Sequence, residues 1–256
     1  MTNPLNPSVR AMTQRLRLHR REWRQDGRYY QVLSLRTGDP TRYSIEVGQW
    51  LVLIRSDLAG ARLLGRLLWG LSYQRRPDTL LVIGPDHLAW DPFDGSPSPV
   101  ILFGVTPRTA VTQAVARTVR QPALWRSNPS GTVGWNTASL PDAYAELNAR
   151  FEARRAGLPI PDRYVPRRPA PVVIDAGSAV AVLAVPELLR EWASLIVDAG
   201  NSWYRGESCT EPSYGDMGID VHAVRHPDPA GHRPPPRPMG PRNTDHLSAP
   251  GRDESA

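Results

Sequence analysis

Lysine is absent from this chain of 256 residues, and all 31 of its basic residues are arginine. Without lysine there can be no Gly-x-x-x-x-Gly-Lys-Ser/Thr phosphate loop. A Gly-x-Ser-x-Gly nucleophile elbow and a Gly-x-Gly-x-x-Gly turn after a strand are missing too, so P-loop, esterase and dinucleotide chemistry have no motif to stand on. GC-rich coding explains the choice of arginine more simply than selection for guanidinium chemistry does. The single cysteine, Cys209, excludes an internal disulfide and a multi-cysteine metal cage, and it fits a reducing compartment. Met1 to Pro7 carry no basic stretch leading into a long apolar one, so no secretory signal is expected. No segment reaches the roughly 18 uninterrupted apolar residues that cross a bilayer; Val172 to Val185 is broken by Asp175, Gly177 and Ser178. These absences predict a cytoplasmic protein without a membrane span, and no motif implies a cofactor.

What is present is unevenly placed. Residues 1–76 hold 14 arginines against 5 acids, whereas residues 77–256 hold 17 against 20, so the net positive charge lies in the N-terminal third. Within it, Val9, Met12, Leu16 and Trp23 recur at helical spacing, and Arg10, Arg17, Arg20, Arg21 and Arg24 fall beside and opposite that stripe. The spacing predicts a basic amphipathic helix over residues 9–25, with Leu18 and Arg15 as exceptions to the pattern.

Farther along, strands are expected at Arg28 to Arg36, Tyr43 to Val47 and Trp50 to Arg55, with Thr37-Gly38-Asp39-Pro40 as a turn. Ser56 and Asp57 can cap a helix whose Ala61, Leu64, Leu67, Leu68 and Leu71 form an apolar face. Thr79 to Ile83 and Val100 to Val105 are expected strands, with a short return strand at His87 to Trp90. Helices are expected from Thr106-Pro107, from Ser139, and from Pro186, the last following a hairpin of Val172 to Asp175 with Ala179 to Val185. Five prolines in residues 157–171 predict an extended connector. From His226 onward eight of 31 residues are proline and none is aromatic, too little to build a core.

These elements predict an α+β fold, a mostly antiparallel sheet covered by two or more helices. The expected organisation is a basic helix within residues 1–27, a main core over 28–156, the connector at 157–171, a hairpin-helix unit packing on the core over 172–204, and a mostly disordered Pro/Arg-rich tail over 205–256.

Four sets of residues bear on function. Arg10, Arg17, Arg20, Arg21, Arg24 and Arg28, followed by Arg36 and Arg42, could neutralise phosphates of a nucleic acid or charges of an acidic protein; equally, the helix could dock its Trp23 stripe and leave the arginines solvated or paired. Asp86, His87, Asp91 and Asp94 combine carboxylates and imidazole in a loop-rich stretch, the ingredients of divalent-metal or acid-base chemistry and also of ordinary turns. Asp175 ends an apolar strand, where metal-dependent phosphoryl-transfer enzymes place a first carboxylate and where a turn cap also sits. Cys209, His222 and His226 match only the second half of a classical zinc finger, so no metal site is expected. Pro234 to Pro238 fits a polyproline II ligand or a plain spacer. The leading expectation is an interaction protein contacting nucleic acid or another acidic partner through the Arg10 to Arg28 face. The alternatives are a metal-dependent hydrolase built on residues 86–94 and a purely structural subunit.

Overall fold

The computed structural model describes residues 15–48, 51–91, 95–157, 169–203 and 218–223. Its strands are β1 (Leu16–Gln25), β2 (Arg28–Ser34), β3 (Tyr43–Val47), β4 (Leu51–Ser56), β5 (Thr79–Ile83), β6 (Val100–Val105), β7 (Gly131–Trp135), β8 (Val172–Asp175), β9 (Ala179–Ala184) and β10 (Gly218–Ala223). Its helices are α1 (Leu58–Ser72), α2 (Gln113–Arg120), α3 (Pro122–Arg126), α4 (Leu140–Arg155) and α5 (Pro186–Trp203).

Seven strands form one mixed, mostly antiparallel sheet in the order β7-β1-β2-β5-β6-β9-β8, in which only β2–β5 and β6–β9 run parallel. A smaller sheet orders β10-β4-β3. Every residue of β5, β6 and β9 is buried, because their continuous apolar runs are covered on both faces. One face, with Leu33, Leu81, Phe103 and Val182, packs on α1, α5 and the inward Tyr43, Ile45, Val52 and Ile54 of the small sheet. The other, with Val32, Leu80, Leu102 and Ala181, packs on Val115, Ala116 and Val119 of α2. We call these the α1 face and the α2 face.

Asp57 caps α1 by accepting from the Gly60 amide at 2.6 Å, as its sequence suggests. Within α1, Gly65 lets the helix lie directly on α5: a Cβ there would sit 2.9 Å from the Ala193 carbonyl oxygen. No helix among the described residues is long and apolar enough to cross a membrane.

Three expectations are corrected. The basic N-terminal helix is not formed over residues 16–25, which are the strand β1, hydrogen-bonded to β2 on one side and β7 on the other; residues 1–14, with Arg10, lie outside the described residues. The decisive local cause is Asp26-Gly27, whose φ angles of 51° and 77° make the two-residue turn that closes a β1–β2 hairpin in register Gln25↔Arg28. A helix does not begin at Thr106-Pro107. Instead the segment is tied to the start of β5, where the Asp78 amide donates to the Arg108 carbonyl and the Ala110 amide to Asp78 Oδ1, so α2 starts after Thr112, whose hydroxyl accepts from the Val115 amide. His87 to Trp90 is not a return strand: Pro85–His87 is a 3-10 turn, and single bridges join Leu88 to Tyr43 and Trp90 to Pro97.

Two strands were not expected at all. β7 arises in residues 122–138, where no periodic signal stood out. β10, inside the stretch expected to lack structure, pairs parallel with β4. Most of the connector and the remainder of the tail, with Cys209, His226 and Pro234 to Pro238, lie outside the described residues.

Candidate functional site

A strand sends alternate side chains to opposite faces, so β1 sorts its basic residues by parity. Leu16 and Leu18 point into the α1-face core, and Trp23 packs against the α2-face core. The odd-numbered Arg17, His19 and Arg21 therefore share the α2 face with Trp23, which stacks on Tyr30 of β2 at 4.9 Å between centroids. Arg15 joins them by lying across β7, its side chain filling the space a Cβ at Gly134 would take. Ser34 pairs with His19 in register, and Arg36 lies two residues beyond, close enough that its charge acts on the His19 ring.

Arg21 is the centre of this group. It is only 9% exposed, its Nη1 donates to the Ser34 hydroxyl at 3.1 Å, and its guanidinium lies 5.4 Å from the centroid of the Trp125 ring of α3. Its Nε is buried without a hydrogen-bond acceptor. Burial pushes its pKa down, opposed by the charge of Asp86. Close by, burial followed by the like charges of Arg21 and Arg36 holds His19 below its ordinary 6.5, so the ring is neutral at pH 7. Among the described residues no carboxylate forms an ion pair with Arg15, Arg17, Arg21 or Arg36.

The other expected basic residues are engaged elsewhere. Arg28 forms a two-pronged pair with Asp78, both bonds at 2.9 Å. Arg24 lies over the exposed Tyr29 ring at 5.4 Å, and Arg20 has its Nε 4.0 Å from Glu22, which also binds Arg76. Of the six arginines named from the sequence, the structure brings Arg17 and Arg21 together, sends Arg20 and Arg24 to the opposite parity, and pairs Arg28.

The acidic and histidine candidates point apart. Asp86 is exposed and near Arg21 on the α2 face. His87 is buried the other way, its Nδ1 3.4 Å from the Thr41 carbonyl oxygen, and burial lowers its pKa. Asp91 is buried against Arg55, which also pairs with Glu46 at 2.5 Å. Asp94 lies outside the described residues. Asp175 is exposed in the β8–β9 turn, where its Oδ1 accepts from the Gly177 amide at 2.7 Å. Among the described residues, no group of three or more His, Cys, Asp or Glu side chains could hold a metal ion.

Sequence reasoning missed His19, Ser34 and the role of Arg15. The signal that finds them is alternation, Arg15-Leu16-Arg17-Leu18-His19, read with the Asp26-Gly27 hairpin turn. No family model matches the chain, and comparison with curated proteins and with solved structures gives no match.

Proposed function

We propose that this is an interaction protein that contacts nucleic acid through the α2 face of β1, with Arg15, Arg17, Arg21 and Arg36 as the cationic groups. One observation carries the reading: these four arginines converge on one sheet face with His19, and no carboxylate forms an ion pair with any of them among the described residues. A cation cluster left without internal counter-charges attracts a polyanion and releases that polyanion's own counterions on contact. The half-buried Trp125 and Trp23 add aromatic surface beside the charge, a combination suited to a phosphate backbone with bases at its side.

The test is binding of labelled duplex and single-stranded oligonucleotides across a salt series. Four phosphate contacts predict a log–log slope of roughly −3 to −4. Changing Arg17 and Arg36 to Gln should flatten it by about 2, while Arg150→Gln with Arg190→Gln, on α4 and α5, should leave it unchanged. No binding at low salt removes the nucleic-acid reading. Binding of poly-glutamate without binding of oligonucleotides would instead make the partner an acidic polypeptide.

A further inference from the structure

Within this face, Arg21 has the features of a specific site rather than of a diffuse charge. It is nine-tenths buried, carries no ion pair among the described residues, and keeps its Nε without an acceptor. A guanidinium presents Nε–H and Nη–H as a fork that two oxygens of one oxyanion fit side by side, which a point-like ammonium does not. The Ser34 hydroxyl accepts from Arg21 Nη1, so its own hydrogen is left to donate to a ligand. Trp125 lies over the guanidinium and is itself held by its Nε1–H donating to the Val119 carbonyl at 2.7 Å, fixing one wall of the site. Gly84, directly after β5, permits that wall: a Cβ there would meet the Trp125 ring at 2.8 Å. Ser34 closes β2 and Gly84 follows β5, so the site lies at the carboxyl ends of two adjacent parallel strands.

We propose that Arg21, Ser34, His19 and Arg36 bind one phosphate monoester group, a deepening of the nucleic-acid reading that rests on the same basic face. Two guanidinium charges match a dianion better than a carboxylate, which brings a single charge. Such a group occurs at the end of a nucleic-acid strand and on small phosphorylated molecules. A phosphodiester in mid-strand has one charge and fewer free oxygens. The charge of Asp86 acts on Arg21 and opposes any anion there.

The experiment is calorimetric titration of the full chain with inorganic phosphate, with acetate as control, followed by glycerol 3-phosphate and by a short single-stranded oligonucleotide with either a 5′-phosphate or a 5′-hydroxyl. Phosphate should bind and acetate should not. Arg21→Met should weaken phosphate about 30-fold or more, and Ser34→Ala about 10-fold. Asp86→Asn should tighten it several-fold. If Arg21 only supports the fold, Arg21→Met lowers the melting temperature; a phosphate site predicts a melting temperature at or above that of the unaltered chain, since a buried lone charge is removed. Preference for the 5′-phosphorylated strand assigns the group to a nucleic-acid end. Binding of glycerol 3-phosphate without either oligonucleotide keeps the site and overturns the nucleic-acid reading. Failure to bind phosphate, or phosphate affinity unchanged in both Arg21→Met and Ser34→Ala, overturns the site even if the oligonucleotides bind.

Discussion

Arg55 and Arg21 are both buried arginines, 5% and 9% exposed, yet their surroundings are opposite. Arg55, on β4, meets Asp91 and Glu46, joining the small sheet to the segment after β5. Arg21, on β1, has a serine, an indole face and no carboxylate partner among the described residues. Burying a cation is costly in either case, and a paired cation offsets the cost inside the fold whereas a lone one leaves it for something outside to offset. The contrast separates an arginine that holds the structure from one that is available to a ligand.

That contrast can be broken most forcefully at the paired end. Asp91→Ala takes from the buried Arg55 its buried carboxylate partner, while Glu46, the other carboxylate it meets, is exposed. It should cost about 3 to 5 kcal/mol in chemical denaturation, whereas Arg21→Met should be neutral or stabilising. Equal losses would erase the distinction.

Next in size is the hairpin that places Arg21. Gly27 has φ of 77°, so Gly27→Val should cost about 1 to 2 kcal/mol through left-handed backbone strain. It should also weaken oligonucleotide binding by misaligning β1. A stable variant with unchanged binding would deny the turn its role.

A smaller effect comes from pH. His19 and His87 both have pKa values lowered by burial, His19 also by Arg21 and Arg36, so the unfolded chain takes up protons first as pH falls below 6.5. Stability should hold above that pH and decline as pH drops from 6.5 toward the lower folded values. His87→Gln should remove part of the decline, as read from melting temperatures between pH 7.5 and 5.

Much of the fold was legible because the local signals agreed with the tertiary outcome. The runs Thr79 to Ile83 and Val100 to Val105, the Asp57 cap and the Pro186 helix start each survive intact. β1 was misread because Leu16 and Trp23 fit a helical stripe by spacing, while Leu18 and Arg15, which break it, are the members of the two-residue alternation. β7 was hidden by its glycines. Gly131 and Gly134 weaken any strand signal, and their use becomes visible only in three dimensions, where the side chains of Arg20 and Arg15 lie across them. The site was half legible for the same reason. The right stretch of arginines was in view, but a period of 3.6 groups Arg17, Arg20, Arg21 and Arg24, whereas a period of two keeps Arg17 and Arg21 and adds Arg15 and His19.

That difference in grouping supplies the most direct measurement. Oligonucleotide affinity and its salt dependence should be compared between Arg17→Gln with Arg21→Gln and Arg20→Gln with Arg24→Gln, two double variants of equal charge from one strand. A strand-borne face predicts that the odd-numbered pair loses affinity and flattens the salt slope by about 2 while the even-numbered pair stays near the unaltered chain. Equal losses from both pairs would contradict it.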